Sequence, residues 1–194
     1  GTGRSIIELS RQKGDDDNKA LWEAFEIDKQ AAWMSKCNIL FHGVNCILRN
    51  EDVVRVEHAK YDSIICRTPL DAAYSVGRNS YPVRTKNRML NYVQEVLTSL
   101  SDSENARAAI LLTNGFYADD RKEFIAVKEF LFSHYSVSAI LRLPSNIAQV
   151  NRTASVLFLN KNPNPSESIW VFDATTSRKI SYDKLLNRFL SGYI

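Results

Sequence analysis

The chain has 194 residues, the length of one domain with a short appendage, and its 44% hydrophobic and 24% charged residues are typical of an ordinary globular protein. Its formal net charge of +3 is compatible with a nucleic-acid partner but is too small to indicate one. No apolar run approaches the ~20 residues that a membrane helix needs, and the start of the sequence has no feature of a signal peptide. We therefore expect a cytoplasmic protein without a membrane span.

The cysteines and histidines do not predict a metal site. Zinc needs Cys or His ligands clustered at characteristic short intervals, and neither residue type has that spacing here: Cys37, Cys46 and Cys66; His42, His58 and His134. We interpret the cysteines as small buried hydrophobes in a reducing compartment, and we expect no bound metal.

The first half of the sequence predicts helices alternating with strands, followed by a long loop. In chain order, the predicted elements are a helix at 5–12, a polar loop at 14–18, a strand at 21–27, a helix at 28–41 with Gly43 just past its end, and strands at 45–48 and 61–66. Residues 67–85 contain two prolines and a glycine and have no clear periodicity, which predicts a long loop. A loop of that length inside a compact domain is usually functional or mobile.

The second half continues the alternation of strands and helices. The predicted elements are a helix at 86–100, a strand at 108–113, a turn at 114–115, a helix at 121–133, strands at 137–143, 155–160 and 169–173, and a helix at 182–190. The Pro/Asn segment 162–165 predicts an antiparallel hairpin of the last two strands. The pattern as a whole predicts a single α/β domain over residues 1–194, with a mainly parallel sheet and an antiparallel edge near the C-terminus.

Candidate ligand-binding residues are expected beyond the carboxyl ends of the strands. Gly1 and Gly3 stand directly before a predicted helix, where glycines let backbone amides approach a ligand and the helix start favours negative charge. Glycines at the start of a chain can equally be remnants of cloning. Glu26 ends a predicted strand and could accept both hydroxyls of a ribose. An equally good interpretation of Glu26 is a solvated carboxylate next to a helix that Asp28 caps.

Asp52 follows the predicted strand 45–48 within the segment RNEDVV. Its carboxylate could accept a hydrogen bond from an adenine amino group. A surface acid in a loop is the preferred interpretation when this residue is considered by itself.

Residues 61–70, YDSIICRTPL, form a predicted strand that runs into a turn containing proline. This segment resembles the Tyr-Asp-x-Ile-Ile-x-Asn-Pro-Pro-Phe pattern of N6-adenine DNA methyltransferases of the type I modification-subunit kind, with Arg67, Thr68, Pro69 and Leu70 in the four motif positions. Further segments are similar to the same family in the same order: GTG at 1–3, FEID at 25–28, NILFHG at 38–43, ED at 51–52, RAAILLTNGF at 107–116, the segment 140–161 ending in LFLNK, and IWVFDA at 169–174.

The resemblance covers nearly the whole chain and implies a Rossmann-like class I fold that uses S-adenosylmethionine. It assigns Gly1, Gly3, Glu26 and Asp52 to the cofactor. The family's first strand would precede Gly1 and is missing from this sequence, so the chain is expected to be a fragment of a longer protein or to close its sheet differently. The resemblance also implies two kinds of partner, a specificity subunit that reads the DNA sequence or a homologous methyltransferase subunit.

The motif departs from the family pattern at three of its four positions. In the family, an Asn or Asp side chain binds the amino group of the flipped adenine and the aromatic ring stacks on that base. Arg67 has donors only and would repel a sulfonium cation at short range. Thr68 replaces one of the two stiffening prolines, and Leu70 offers no ring for stacking. We therefore expect a catalytically inactive scaffold or DNA-binding domain; the alternative is an active enzyme with an unusual motif.

Four basic residues in and after the long loop are candidates for phosphate contacts: Arg78, Arg84, Lys86 and Arg88. Contacts of this kind would give DNA binding that depends on salt and not on base sequence. An interpretation as solvated loop charges is at least as good from the sequence.

Overall fold

The computed structural model describes residues 1–13, 21–69, 75–144, 153–161, 168–175 and 182–193. By their contacts the residues form two compact units, Gly1–Glu57 and His58–Ile194. The assignment of residues 1–194 to a single domain stays a prediction. Within the described ranges, no helix is both long enough and apolar enough to cross a membrane.

The first unit contains two helices and a pair of parallel strands. Its elements are α1 (Arg4–Lys13), β1 (Trp22–Phe25), α2 (Lys29–Phe41), β2 (Cys46–Arg49) and a single 3-10 turn (Val53–Arg55). The strands pair in register from Trp22 opposite Cys46 to Phe25 opposite Arg49. The predicted helices and strands of this region are confirmed with small shifts at their ends, whereas the predicted polar loop at 14–18 lies outside the described residues.

Helix α2 begins and ends where its sequence predicts. The Asp28 carboxylate accepts a hydrogen bond from the Ala31 backbone amide at 2.7 Å, so Asp28 caps the helix. Gly43, just past the helix, has a φ of 64°, which an L side chain rarely adopts. Ala32, Ser35 and Ile39 are buried, and their spacing of three and four residues sets one inward face.

The second unit is a five-stranded mixed sheet with helices packed against it. Its elements are β3 (Ser63–Arg67), α3 (Arg88–Ser99), β4 (Arg107–Thr113), a short α4 (Gly115–Ala118), α5 (Lys122–His134), β5 (Ser136–Leu143), β6 (Ala154–Asn160), β7 (Trp170–Asp173) and α6 (Tyr182–Tyr193). The strand order is β3-β4-β6-β5-β7. Strand β3 is parallel to β4 and β5 is parallel to β7, while β6 is antiparallel to both β4 and β5. The predicted α/β class is confirmed.

The predicted hairpin of the last two strands is wrong. Strand β6 pairs with β4 and β5, and β7 lies on the far side of β5. The antiparallel hairpin is formed by β5 and β6 instead. The burial of β6 gives the physical reason, since Leu157 and Leu159 are about 1% exposed on one face and Val156 and Phe158 pack on the other. A strand that is apolar on both faces stabilises the sheet best from a central position. The segment 162–165 lies outside the described residues.

Two apolar clusters stabilise the two faces of this sheet. On one face, α3 and α5 pack on β4 and β6 through a set of fully buried residues, among them Leu90, Leu97, Val127, Ile110 and Leu157. On the other face, Leu185 and Phe189 of α6 cover β5 and β7, with the Phe189 ring 5.4 Å from that of Phe158. Full burial of each large apolar side chain contributes about 1.5–3 kcal/mol.

Candidate functional site

The glycine segment at the start of the first unit is pressed against α2. Gly3 has a φ of 80°, and a Cβ atom at this position would lie 2.7 Å from the Ser35 hydroxyl oxygen. The Asn38 side-chain amide donates to the Thr2 carbonyl at 2.9 Å. Helix α1 begins here, since the Ile7 amide donates to the Gly3 carbonyl at 3.1 Å. Both the backbone conformation and the space therefore require glycine at position 3. Sequence reasoning missed the supporting role of Ser35.

Glu26 lies at the carboxyl end of β1, and its two carboxylate oxygens have different partners. The Oε1 accepts a hydrogen bond from the Asp28 amide at 2.8 Å, and the Oε2 forms an ion pair with the terminal ammonium of Gly1. Asn50 fixes the chain around Glu26, because its side-chain amide donates to the Glu26 carbonyl at 2.8 Å and to the Ile27 carbonyl at 3.2 Å. The structure thus brings together two residues, Gly1 and Glu26, that the sequence assigned to one site.

Asp52 follows β2 and caps the 3-10 turn after it. Its carboxylate accepts a hydrogen bond from the Val54 amide at 3.4 Å and lies 3.7 Å from the Arg55 guanidinium. The Asp52 side chain is only 9% exposed, and Val54 is fully buried. Asp52 therefore stands in a defined turn, a more fixed position than that of an ordinary surface acid.

The candidate catalytic motif begins at the last residue of β3. Arg67 is exposed and pairs in register with Leu111 of β4. Thr68 is 1% exposed, and both its backbone amide (3.2 Å) and its hydroxyl (2.7 Å) donate to the Leu111 carbonyl. Pro69 is half-buried. The fourth motif position, Leu70, lies outside the described residues.

Polar side chains of α3 hold the described end of the long loop. Asn91 and Gln94 are fully buried. The Asn91 amide donates to the carbonyls of Ser75 (2.8 Å) and Thr85 (3.3 Å), and the Gln94 side chain makes two bonds to the Val83 backbone, at 2.8 and 3.1 Å. Residues 75–85 contain neither helix nor strand, as predicted, but their backbone is anchored. The sequence signal was a polar stripe on an otherwise apolar helix, which the sequence analysis did not use.

The four basic candidates for phosphate contacts have different surroundings. Arg78 donates to the buried Glu95 carboxylate and its guanidinium carbon lies 5.3 Å from the centre of the Tyr81 ring. Arg88 lies over the Tyr92 ring at 5.9 Å. Arg84 and Lys86 are exposed. Their assignment to DNA binding stays a prediction, and Arg84 and Lys86 are the members with the most accessible charges.

The cysteines are not disulfide-bonded and are all half-buried by residue exposure. Burial first, and the nearby Glu95 carboxylate second, raise the pKa of the Cys66 thiol to about 12. Burial and Glu23 likewise raise the pKa of Cys46. These two thiols therefore stay protonated and unreactive at neutral pH. Across the ranges described above, no group of three or more His, Cys, Asp or Glu side chains could hold a metal ion.

Solved structures of methyltransferases are similar to this chain over nearly its whole length. A type I restriction-modification system methyltransferase subunit from Streptococcus thermophilus matches with a TM-score of 0.82 and 16% identity, over 99% of this chain and 46% of its own. The M protein of the type I restriction enzyme EcoKI matches with a TM-score of 0.76 and 20% identity, over 97% of this chain and 47% of its own. This chain thus spans less than half the length of these two subunits.

A putative class I S-adenosylmethionine-dependent methyltransferase from Listeria monocytogenes matches with a TM-score of 0.74 and 12% identity, over 98% of this chain and 59% of its own. These structural matches confirm the predicted class I methyltransferase fold. The model of the family described as N-6 DNA Methylase matches residues 1–191. The predicted family is therefore confirmed, and the chain belongs to the N-6 DNA methylase family.

Proposed function

We propose that this chain is the methyltransferase domain of a type I modification-like subunit that no longer methylates adenine and serves as a scaffold for DNA binding or subunit assembly. The observation that carries the proposal is the conformation of Arg67 and Thr68 at the end of β3. The cytoplasm is the compartment we propose for it, since DNA is one of its proposed partners.

Arg67 stands where the family has the side chain that accepts hydrogen bonds from the target amino group. A guanidinium has five N–H donors and no acceptor, so it cannot take over that contact. Its positive charge also opposes the approach of a sulfonium cation. The Arg67 side chain is exposed at the end of β3, so its charge has no burial cost at this position.

Thr68, at the second motif position, is tied to β4 directly after the last paired residue of β3. Its amide and its hydroxyl both donate to the Leu111 carbonyl. A proline at this position, as in the family, has no N–H and could make neither bond. These two bonds support a backbone held by β4 at the position where the family pattern has a stiff proline turn.

Three features of the first unit support binding of S-adenosylmethionine. Gly3 has a positive φ and packs closely on α2, as a glycine loop before a helix requires, and Glu26 and Asp52 provide carboxylates at the ends of β1 and β2. We infer that Glu26 would accept the ribose hydroxyls and Asp52 the adenine amino group. When bound, S-adenosylmethionine supplies a methyl group activated by a sulfonium centre. The retained acceptors support binding of the cofactor and do not require its reaction.

Calorimetric titration of S-adenosylmethionine into the full chain, combined with a methyl-transfer assay on mixed-sequence duplex DNA, tests the proposal. We expect saturable binding that Glu26→Ala weakens, and no incorporation of labelled methyl groups. Glu8→Ala, which removes an exposed carboxylate of α1, is the matched control and should bind like the wild type. Incorporation of label would overturn the inactive assignment, and the absence of heat would remove the cofactor from the proposal.

An active adenine N6-methyltransferase is the second candidate, and the intact surroundings of Gly3 and Glu26 favour it. This alternative predicts that labelled methyl groups enter DNA and that Asp52→Ala abolishes the transfer. An assay in which the wild type and Asp52→Ala give the same background counts would eliminate it.

DNA binding through the loop charges has a separate test. The affinity for duplex DNA should fall steeply with salt, and Arg84→Ala and Lys86→Ala should each reduce the slope of log K against log salt by about 1. Lys36→Ala, which removes an exposed charge of α2, should leave the slope unchanged. Affinity that does not respond to salt would contradict phosphate contacts.

The solved relatives include subunits of type I systems, which motivates a partner for this chain. We propose a specificity subunit or a homologous methyltransferase subunit as that partner. Co-expression followed by size-exclusion chromatography would detect a stable complex with either. A chain that stays monomeric with both partners would contradict the assembly role.

A further inference from the structure

A single buried carboxylate, that of Glu95 on α3, accepts four side-chain hydrogen bonds. Its Oε1 lies 2.6 Å from the His58 Nε2 and 2.6 Å from the Ser99 hydroxyl, and its Oε2 accepts from the Tyr81 hydroxyl and the Arg78 guanidinium. Glu95 is 3% exposed. We call this group of side chains the Glu95 cluster. It satisfies every lone-pair direction of a carboxylate that would otherwise be costly to bury.

His58 is held as an imidazolium by its two neighbours. Its Nδ1 lies 2.9 Å from the Ala59 carbonyl oxygen, and its Nε2 lies 2.6 Å from Glu95 Oε1. Both neighbours are acceptors, and a neutral imidazole has only one N–H to donate. The His58 side chain is 3% exposed, so water has little access to its bond with Glu95. The two acceptors together favour a proton on each ring nitrogen.

The other groups facing the His58–Glu95 pair keep fixed charge states. The Arg78 guanidinium is the second cation of the cluster. Burial, and then the bond to Glu95, raise the pKa of Tyr81 well above its usual range, so the phenol stays neutral. The Cys66 thiol of β3 also feels Glu95 and stays protonated. The Tyr61 ring, 5.4 Å from the imidazole, completes the surroundings. His58 is thus the group of the cluster whose charge changes first on going from neutral to alkaline pH.

The cluster joins chain segments on both sides of β3. His58 precedes that strand, whereas Arg78 and Tyr81 belong to the loop that follows the motif. The fit around this loop is tight, because a Cβ atom on Gly77 would lie 2.5 Å from the Asn91 Oδ1 and 2.6 Å from the Tyr81 ring. One carboxylate on α3 therefore holds both the segment that precedes β3 and the loop that follows it.

We propose that Glu95 is a positioning residue whose ion pair with His58 strengthens a clamp on the segments flanking β3, and that the clamp loosens when His58 loses its charge. The clamped part includes the loop with Arg84 and Lys86. The proposal goes beyond DNA or cofactor binding and holds whether or not the chain has either function.

The pKa directions give the pH range in which the clamp is closed. The hydrogen bond to Glu95 raises the pKa of His58; burial and the Arg78 charge oppose this, and the Ala59 carbonyl adds to it. The stabilisation from His58 is therefore fully present below its unfolded pKa and is lost as the pH rises through the folded pKa. Burial alone would raise the pKa of Glu95, but the bonds from His58, Ser99 and Tyr81 and the charge of Arg78 lower it overall. Its contribution is lost only as the pH falls through that lowered value.

The chain has three histidines, so nuclear magnetic resonance can follow each imidazole. His58→Gln assigns the His58 signals. In the wild type we expect both His58 ring nitrogens to carry protons at neutral pH and the ring to titrate above the ordinary histidine value of about 6.5. In Glu95→Gln, which keeps the shape but removes the charge, the His58 pKa should fall. His134→Gln, at an exposed histidine of α5, is the matched control and should leave the His58 titration unchanged.

Backbone hydrogen exchange of residues 75–87 provides the second readout, corrected for the intrinsic effect of pH. Protection in the wild type should fall by about tenfold or more across the His58 titration. His58→Gln should abolish this pH dependence. This variant also provides the test if Glu95→Gln does not fold. A His58 pKa at the ordinary histidine value would overturn the proposal. So would hydrogen-exchange protection of residues 75–87 that stays constant across the His58 titration.

Discussion

The ends of β1 and β3 present opposite hydrogen-bonding chemistry. At the end of β1, the Glu26 carboxylate accepts from the Asp28 amide, and the Asn50 side chain donates to the carbonyls of Glu26 and Ile27. At the end of β3, the Arg67 side chain has only hydrogen-bond donors, and the Thr68 hydroxyl donates to the Leu111 carbonyl. Recognition of ribose hydroxyls and of an adenine amino group both need acceptors. The end of β1 therefore offers hydrogen-bond acceptors, whereas the end of β3 offers donors, and this difference is the basis of the proposed function.

The largest expected effect concerns the glycine segment beside Glu26. Gly3→Ala should lower the free energy of unfolding by about 2–4 kcal/mol, because it combines a positive φ with a contact of 2.7 Å to the Ser35 hydroxyl. Gly43→Ala is the matched control: its φ is 64° but nothing lies within 4 Å, so it should cost about 1–2 kcal/mol. Urea denaturation of both variants measures the difference. Equal losses would show that the contact with α2 does not matter.

The next effect tests the strand end that has lost the family pattern. Thr68→Pro restores the family residue but removes both bonds to the Leu111 carbonyl, so we expect a loss of about 2–3 kcal/mol. Thr68→Val keeps the backbone donor and should lose about 1 kcal/mol. Equilibrium unfolding of the two variants separates the amide from the hydroxyl. A Thr68→Pro protein as stable as the wild type would mean that the two bonds to the Leu111 carbonyl do not contribute to stability.

A smaller effect follows from the pH dependence of the segment before β3. Since the pKa of His58 is raised in the folded protein, unfolding free energy should decrease as the pH rises through the folded pKa of His58. The same titration of His58→Gln should lack this decrease. Denaturant midpoints measured at a series of pH values provide the test, and parallel curves for the two proteins would refute it.

The smallest effect on stability is expected at Arg67. Arg67→Asn should change the free energy of unfolding by no more than about 0.5 kcal/mol, because the side chain is exposed. Asn restores an acceptor at the first motif position, but Leu70 still offers no aromatic ring, so this variant should not methylate DNA. The test measures how many labelled methyl groups enter DNA with Arg67→Asn and with the double variant Arg67→Asn/Leu70→Phe. Activity in the single variant would show that the charge of Arg67 alone blocks the reaction.

The sequence predicted the elements of the fold well because most of them have one clear periodicity. The pattern of α2, with Asp28 before it and Gly43 after it, places both helix ends within a residue. The short helix α4, by contrast, was interpreted as a turn at Asn114 and Gly115. Four residues are too few for the helical period to appear in the sequence. The strand order could not be predicted either. The apolar sequence of β6 is compatible with an edge strand or a central strand of the sheet, and only its partners decide between them.

The assignment of the candidate site stays a prediction. Family resemblance pointed to Gly3, Glu26 and the motif, and the structure gives defined contacts to Gly3, Glu26 and Thr68. The partners of α3 could not be foreseen, because Asn91, Gln94 and Glu95 bind residues far away in the sequence. Arg78 illustrates the consequence: its type and position resemble those of Arg84, yet its charge is paired with Glu95. Sequence patterns report local spacing, whereas pairing of buried charges depends on tertiary contacts.

The central position of β6 also constrains the order in which the chain can fold. Strands β4 and β5 do not pair with each other; Thr113 of β4 faces Ala154 and Arg107 faces Asn160, both in β6. The middle of the sheet therefore cannot close until residue 160 is available, and each of these pairings closes a long loop. During synthesis, β3, β4 and β5 would leave the ribosome before β6, with the place of β6 between β4 and β5 unfilled. The exposed apolar edges of such an intermediate are prone to aggregation, so truncation before β6 should yield insoluble protein.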